Sequence, residues 1–560
     1  MTSIFFWIAA LSFMGVVFVI NLVRSKRYAA LEKQALIENY GKKPHILKPE
    51  RWDFLDGYFK RHQSQIPLDQ ITWNDLEMDA VFATLNFTHS AIGEEYLYAL
   101  IRNNEYRNPG LEEMEEKISY LMTHSEERGQ LEYLLYSLGY TGKYSIYDYI
   151  HHLDVLGKRS NFSHIVCDVL LVISIGMIAF LPPAGIIGCL VMILYNIITY
   201  FSEKSKLEPY IISFQFVFRM ITSADKLSAV KIPAFSEEFS RLGALYQQVK
   251  TMKNGFGLVE KGSQPISTGN PLDILTDYLR MMFHLDIILF NRMYLLMEKY
   301  QNEIDEMLGI IGEIDAYDAI GAYRTSLEGD YCIPVILNTN KKNMEIQDGY
   351  HPLMKNAVKN SICTENGILI TGSNASGKSS FLKMVAINAI LAQTIHTAMA
   401  ADYQAAYFHI FSSMSLRDNL QGQDSYFMVE IKSIKRILDV DDSQIPVLCF
   451  VDEVLRGTNT VERIAASTQI LKCLNQKNTL CFAATHDIEL TYLLEETYTN
   501  YHFEEELVGE DVVFFYRLVP GRTTTKNAIL LLKQLGYETN LTDEAQKLVE
   551  HFESTGKWED

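Results

Sequence analysis

A glycine-bounded loop between an apolar segment and a helix-like segment constrains this chain more than any other feature. The loop spans residues 372–379, Gly-Ser-Asn-Ala-Ser-Gly-Lys-Ser, and fits the spacing G-x-x-x-x-G-K-[ST]. Backbone N–H groups of such a loop and the start of the following helix carry positive partial charge, which favours a bound phosphate. Residues 367–371 before it are mostly apolar, as in a buried strand, and the helix after it has an apolar face for packing on a sheet. The combination predicts a nucleotide site at the end of a strand.

The loop positions have separate expected contacts. Lys378 can reach the outer phosphates of a nucleotide, and the hydroxyl of Ser379 can coordinate Mg²⁺. An ordinary glycine turn before an amphipathic helix is the alternative, but the strand before the loop and the helix after it favour the nucleotide site. The residues predicted to contact nucleotide are Gly372, Ser373, Asn374, Ala375, Ser376, Gly377, Lys378, Ser379 and Ser380.

Two further apolar runs end in residues that suit phosphate chemistry. Residues 446–451 lead into Asp452 and Glu453, and residues 479–485 lead into His486. Continuous apolar runs are typical of strands buried on both faces, and ligands of such folds lie at the carboxyl ends of the strands. Asp452 suits the Mg²⁺ shell, Glu453 suits a base that polarises the attacking water, and His486 could donate to the outer phosphate. For the run before Asp452 taken alone, a strand ending in two solvated acids is the alternative.

The chain is too long for one compact domain, and its pattern changes near residue 332. Strand-like and helical stretches alternate from there onward, which predicts a mostly parallel sheet covered on both faces. The preceding residues are largely helical in pattern. We divide the 560 residues into an N-terminal transmembrane anchor (1–27), a cytoplasmic helical region (28–161), a transmembrane hairpin (162–201), a second helical region (202–330) and an α/β ATPase domain (331–560).

The net charge bears on nucleic-acid binding, and the cysteine content bears on metal sites and disulfides. The formal net charge of −19 does not favour broad nucleic-acid binding, although a local basic patch would be compatible with it. The seven cysteines form no C-x-x-C pair. We therefore predict small buried thiols in a reducing compartment rather than a metal or disulfide framework.

Three apolar segments approach the length that spans a bilayer: residues 4–23, 162–181 and 184–201. Pro182 and Pro183 separate the last two, which predicts a helical hairpin. Basic residues flank the segments on the same side of the membrane, and such residues are typical of the cytoplasmic side. The pattern predicts a multi-pass protein of the cell membrane with lipid contacts along three helices. It places the hairpin tip outside and the ATPase domain in the cytoplasm. For the first segment, a buried helix of a soluble domain is the alternative. His164 and Asp168 could form an intramembrane ion pathway, but interfacial solvation is favoured.

Several motifs, in order, resemble the ATPase of MutS proteins. The motifs are residues 371–379, 418–430, 452–460 and 484–486, with 349–353 resembling the opening motif and 516–521 the late strand and turn. The resemblance is specific over about residues 332–548. It extends more weakly upstream, where residues 86–100 resemble the start of the MutS core domain and 272–311 suit its lever helices.

This resemblance implies an α/β P-loop ATPase of the ABC type at the C-terminus, preceded by an all-α core and lever region that carries the three transmembrane helices. It implies ATP and Mg²⁺ as cofactors, with Ser379 and Asp452 at the metal and Lys378, Glu453 and His486 in catalysis. It also implies a homodimer that pairs head to tail through the ATPase domains. Ser425 would then complete the nucleotide site of the partner, although Asp424 and Tyr426 replace an arginine and a threonine usual beside it.

The departures from the family shape the expected function. MutS proteins that read mismatches carry an N-terminal domain with a Phe-x-Glu wedge, for which we find no place before Asn86. The hairpin lies where the family inserts its DNA clamp, and no nuclease-like domain follows the ATPase. The leading hypothesis is a membrane-anchored, ATP-gated dimeric clamp that acts on double-stranded DNA without reading mismatches directly. The alternative is a membrane scaffold or signalling module that acts on a protein. An ABC transporter is a weaker third hypothesis, because three spans give little wall for a solute path.

Overall fold

The computed structural model describes residues 23–24, 26–103, 110–142, 144–255, 278–373, 376–414, 426–440, 444–456, 458–508, 511–522, 529, 532–533 and 536–558. The chain forms two compact units. The first, mainly helical, comprises Met1–His62, Leu85–Ala99 and Glu112–Ser326, and the second comprises Gln63–Thr84, Leu100–Leu111 and Leu327–Asp560. A helical N-terminal region followed by a mixed α/β region is thus confirmed.

The described residues of the first unit form mainly helices. Its helices are Gly57–Arg61, Ala91–Arg102, Leu111–Thr123, Ser125–Leu138, Ile146–His151, Phe162–Met177, Pro182–Leu227, Ser236–Val249, Leu285–Lys299 and Gln301–Ser326. Short 3₁₀ turns lie at Pro49–Phe54, Leu153–Leu156, Pro233–Phe235 and Lys250–Gly255.

Buried polar pairs hold the helix Ala91–Arg102 in place. The guanidinium of Arg51 donates from Nε to Glu94 at 2.8 Å and from Nη2 to Glu95 at 2.9 Å, and all three side chains are nearly inaccessible to solvent. Gly93 lies against Asp315, since a Cβ at residue 93 would come within 2.1 Å of Asp315 Oδ2. Any larger residue at 93 would push this helix away from Gln301–Ser326.

The predicted hairpin forms, with bounds that differ from those predicted. Its first helix is Phe162–Met177, and its second is Pro182–Leu227, which continues well past residue 201. Pro182 and Pro183 occupy the first turn, where a missing N–H breaks no hydrogen bond, so they start this helix. A Cβ at Gly185 would come within 2.5 Å of Ile178 N, so glycine permits the tight return.

The hairpin exposes apolar side chains on most sides. Exposed fractions reach 56% at Val172, 64% at Leu190 and 60% at Ile198, whereas Phe214 and Ile221 farther along the second helix are buried. An isolated water-soluble surface rarely carries a contiguous apolar patch of this kind. An exposed apolar surface of this kind is typical of a site that contacts another protein or a membrane.

The prediction of three transmembrane helices is not supported. Among the described residues, only Pro182–Leu227 is long and apolar enough to cross a membrane by length and composition. Phe162–Met177 is apolar but has 16 residues, and residues 4–22 of the first predicted segment lie outside the described part of the chain.

The described residues of the second unit form two sheets. Their strands are β1 Val335–Leu337, β2 Met344–Gly349, β3 Asn360–Thr364, β4 Gly367–Thr371, β5 Asp402–Ala406, β6 His409–Ser413, β7 Val447–Asp452, β8 Thr479–Ala484, β9 Tyr498–Val508 and β10 Asp511–Pro520. The larger sheet has the order β10-β9-β4-β8-β7-β6, in which β10 is antiparallel to β9 and every other neighbouring pair is parallel. The smaller sheet, which was not predicted, has the order β1-β5-β2-β3.

Helices pack against the larger sheet, which buries the middle strands. Leu369, Cys449 and Cys481 share a core with Leu471 and Leu474 of Thr460–Gln476. All residues of β4 and β8 are buried, which explains why both read as continuous apolar runs. The helices of this unit are Gln70–Asp75, Met78–Leu85, Lys378–Ile395, Tyr426–Leu438, Thr460–Gln476, Ile488–Leu493 and Thr539–Thr555.

The cysteine prediction was right only in part. Cys449 and Cys481 are buried, Cys363 and Cys473 are exposed, and the other three are intermediate. All seven are free thiols.

Candidate nucleotide site

The loop after β4 has the backbone that its glycines predict. Gly372 has φ +146° and Gly377 has φ +106°, both in the region that favours glycine. A Cβ at Gly377 would come within 3.1 Å of the Tyr516 ring. The helix Lys378–Ile395 begins at the end of this loop, so its N-terminus faces the site. Two predicted contact residues, Asn374 and Ala375, lie outside the described residues.

Lys378 is held inside the loop by backbone carbonyls. Its side-chain Nζ donates to Gly372 O at 2.8 Å and to Ser373 O at 2.7 Å. The residue is only 5% exposed. The ammonium is thus fixed at the mouth of the loop, where an incoming phosphate would replace carbonyl oxygens as its acceptor.

The serine and aspartate predicted to coordinate Mg²⁺ are in direct contact. Ser379 lies at the start of the helix after β4, and Asp452 is the last residue of β7. Ser379 Oγ donates to Asp452 Oδ2 at 2.5 Å. Two oxygen ligands on one side of the loop match the donor type that Mg²⁺ prefers.

Glu453 lies between His486 and Arg456. Its Oε1 is 2.9 Å from His486 Nε2, and its Oε2 is 2.6 Å from Arg456 Nε. The hydrogen bond from His486, and then the charge of Arg456, hold the pKa of the Glu453 carboxyl below its usual value. Glu453 is therefore ionised at neutral pH, as a general base must be.

The backbone at Glu453 is strained, and that strain aims the side chain. Glu453 has φ +59°, in a region that residues other than glycine rarely adopt. Its N–H donates to Ala484 O at 2.9 Å, which joins the turn after β7 to the end of β8. Strain of this kind is typical of functional sites.

His486 also approaches the lysine. Its Nε2 lies 3.4 Å from Lys378 Nζ as well as 2.9 Å from Glu453. An ammonium only donates, so Nε2 cannot accept from Lys378 while it donates to Glu453. The shorter contact to the carboxylate fixes Nε2 as the protonated nitrogen.

Two side chains in this site were given no role by the sequence. Arg456 forms the ion pair with Glu453. Glu430, 3% exposed, accepts from the backbone N–H of Leu455 at 2.5 Å and of Arg456 at 3.3 Å. Glu430 thereby holds the turn that carries Glu453. The signal for it was a glutamate after the apolar residues 427–429, within a motif quoted only for its resemblance.

A cavity of about 790 Å³ extends from the phosphate loop, which is a volume suited to a nucleotide. Part of its lining is apolar and aromatic, a feature that the sequence did not predict. The residues of this part include His351, Met354, Val358, Met384, Phe503 and Tyr516.

Asn360 organises this apolar part of the lining. Its Nδ2 donates to Tyr516 O at 3.0 Å, and its Oδ1 accepts from Leu518 N at 2.8 Å. These bonds span the irregularity in β10 between Phe514 and Leu518, where Tyr516 has φ +55°. The bulge turns the Tyr516 ring towards Gly377.

ATP with Mg²⁺ fits the residues present. Ser376 Oγ is buried and makes no hydrogen bond to the described part of the chain, although it lies in the loop that would surround a phosphate. The cavity is lined by Lys378, Ser379 and Asp452, which suit phosphates and a metal ion, and by apolar side chains that can pack against a base. Ser425, predicted to act across a dimer interface, lies outside the described residues.

Comparison with known proteins identifies the region that carries this site. Residues 368–553 match the family model MutS domain V. A protein named DNA mismatch repair protein MutS from Desulfitobacterium hafniense (strain Y51) is 31% identical over 273 residues, 46% of this chain and 30% of that protein. A protein of the same name from Carboxydothermus hydrogenoformans is 29% identical over 46% of this chain and 32% of its own length. One from Thermus thermophilus is 27% identical over 45% of this chain and 31% of its own length. The match thus spans about a third of the length of these curated relatives.

Proposed function

Because the chain belongs to the MutS family through its domain V, we propose that it is a Mg²⁺-dependent ATPase whose nucleotide state controls the pairing of two chains. The observation that carries this proposal is the arrangement of Lys378, Ser379, Asp452, Glu453 and His486 around one cavity. Two strands and a helix terminus contribute these groups, and a general base, a phosphate-binding lysine and two metal ligands are all represented.

The proposed mechanism follows from the contacts of each side chain. When bound, ATP would supply the γ-phosphoryl group and Mg²⁺ the charge that polarises it. Lys378 would exchange its carbonyl acceptors for phosphate oxygens, and Ser379 with Asp452 would hold the metal. Glu453, kept ionised by His486 and Arg456, accepts a proton from the attacking water. His486 keeps this carboxylate oriented by donating to it from Nε2.

Double-stranded DNA is the proposed client, by analogy with the relatives named for DNA mismatch repair. Full-length protein in detergent should bind a labelled duplex, with an affinity that falls at least about tenfold between 50 and 200 mM salt, because phosphate contacts release counterions. Binding should be measured without nucleotide, with ADP and with ATP. An absence of salt-dependent binding in all three states would reject DNA as the client and favour the scaffold hypothesis. The ATPase assignment would stand, because turnover is measured without DNA.

We further propose that the hairpin inserts into the cell membrane, with lipid around its exposed apolar side chains and the ATPase unit in the cytoplasm. Ala184 at the hairpin tip and Ser205 farther along the second helix are both exposed, which makes them a matched pair for labelling. In a background in which Cys167 and Cys189 are replaced by serine, a membrane-impermeant maleimide applied outside should label Ala184→Cys and not Ser205→Cys. The reverse pattern would contradict this topology, and equal labelling would contradict insertion.

A further inference from the structure

Three side chains with metal-ligating atoms meet in the helical unit, away from any motif used above. His89 precedes the helix Ala91–Arg102, Glu132 lies on Ser125–Leu138, and Asp318 lies on Gln301–Ser326. One ligand atom of each lies within 4.8 Å of the others. His89 Nε2 and Asp318 Oδ2 are 3.3 Å apart. Zinc bonds of about 2.0–2.2 Å place tetrahedral ligand atoms about 3.3–3.6 Å apart, so this pair already has the required spacing.

The carboxylates of this cluster lack the hydrogen bonds that buried acceptors normally have. Asp318 is fully buried, and neither of its oxygens accepts a hydrogen bond from the described residues. Glu132 is 1% exposed, and its Oε2 is also without a hydrogen bond there. Buried carboxylate oxygens are nearly always paired or bound to a metal. The ion pair of Asp318 with His89 is the single charged contact that the described residues show for Asp318.

Other charged groups lie beside the cluster. Asp315, also fully buried, is a third carboxylate beside Asp318 and Glu132. Arg128 Nε donates to Glu132 at 3.2 Å. The guanidinium of Arg324 forms two 2.8 Å bonds with Glu115. Both carboxylate oxygens of Asp318 and one of Glu132 keep lone pairs available for an ion.

Hydrogen bonds hold the segment that carries His89, and a cavity gives access to the cluster. Asp315 accepts from the backbone N–H of His89 at 2.8 Å and from Ser90 Oγ at 2.5 Å, which holds the segment that carries the imidazole. A cavity of about 280 Å³ opens against His89 and Glu132 and is also lined by Tyr40 and Tyr136. Bound ions with three protein ligands keep a further position for water, and this cavity offers the room.

We propose that His89, Glu132 and Asp318 bind a divalent transition-metal ion, with Zn²⁺ the best match to one imidazole and two carboxylates. The ion would tie the start of Ala91–Arg102 to the helices Ser125–Leu138 and Gln301–Ser326. A protonated His89 paired with Asp318 is the metal-free alternative, and it predicts no bound ion.

The test is metal binding by the full-length protein in detergent. The protein should carry Asp452→Asn, so that the nucleotide-site ligands do not contribute. After treatment with a chelator, Zn²⁺ titration should give about one ion per chain with a dissociation constant below about 1 µM. Co²⁺ should give the visible absorption of a four-coordinate site, and Mg²⁺ at millimolar concentration should not displace it. Binding no tighter than about 100 µM for Zn²⁺, Mn²⁺ and Co²⁺ would overturn the proposal.

Ligand variants locate the ion. His89→Ala and Asp318→Asn should each weaken Zn²⁺ binding by about 100-fold or more, since even changes outside the ligand set cost about 10- to 100-fold. His45→Ala is the matched control, because His45 also faces a buried carboxylate, Glu94, at 3.7 Å. His89→Gln tests the same ligand in case the alanine variant fails to fold. Wild-type affinity in folded His89 variants, or an equal loss in His45→Ala, would contradict this site.

Discussion

Glu453→Gln is expected to keep ATP binding and to slow ATP turnover by about 10²–10⁴-fold, the usual contribution of a general base. The amide has nearly the same shape as the carboxylate and can still accept a hydrogen bond from His486. It cannot take a proton from water. Turnover and ATP affinity should be measured separately in the full-length protein, because only turnover should change.

The matched control for this variant is Glu462→Gln. Glu462 is an exposed glutamate in the first turn of Thr460–Gln476, and its described hydrogen bond is to Thr458 at 3.4 Å. The Glu462→Gln protein should hydrolyse ATP at the wild-type rate. Wild-type turnover in Glu453→Gln would rule out Glu453 as the base, and a loss of ATP binding in that variant would show that it acts in binding instead.

Lys378→Ala is expected to lower ATP affinity by about 100-fold or more. Hydrogen bonds to a charged group contribute about 1.5–3 kcal/mol each, and the buried ammonium would make such bonds with the outer phosphates. Truncation also leaves Gly372 O and Ser373 O without their donor. Equilibrium binding of a fluorescent ATP analogue would measure the change. Lys435→Ala, on an exposed part of the helix Tyr426–Leu438, should bind ATP like the wild type, and equal affinity in both variants would exclude the phosphate role.

The same variant tests the proposed dimer when it is mixed with Ser425→Ala. Lys378→Ala lacks its own nucleotide site but keeps its serine, whereas Ser425→Ala has the opposite defect. In a head-to-tail mixed dimer one composite site carries both defects and the other carries none. Mixing the two inactive proteins should therefore restore part of the ATPase activity. Full activity of Ser425→Ala alone would exclude a role for Ser425 in hydrolysis. If mixed dimers form but the ATPase activity does not recover, the model in which Ser425 acts across the interface and one intact composite site works by itself would be contradicted.

Residues 367–379 were predictable because local chemistry fixes them. An apolar strand, two glycines and a lysine at a helix start follow one another closely in the chain, and β4, the loop glycines and the helix Lys378–Ile395 have the predicted backbone. Asp452 was expected nearby because parallel strands bring their carboxyl ends to one edge of a sheet. Its contact with Ser379 agrees with that expectation.

The sequence could not predict where the second helix of the hairpin ends. Apolar composition alone placed the boundary at residue 201, yet the helix continues to Leu227. Pro209 lies within the helix without ending it. Near residue 201 the side chains change from mostly apolar to mixed, while the backbone stays helical. Composition therefore marks the end of the apolar segment and not the end of the helix.

The sequence by itself determined the glycine-bounded loop, the acids that follow a buried strand and the apolar hairpin, because each depends on residues that are close in the chain. Tertiary structure alone decided which distant groups meet. The pairing of β7 with β8 sets Asp452 opposite Ala484, which brings Glu453 to His486, and Glu430 reaches the same turn from another helix. His89, Glu132 and Asp318 likewise come together only through packing of helices far apart in sequence. Packing fixes such contacts through the shapes and hydrogen bonds of many residues at once, and no local pattern encodes them.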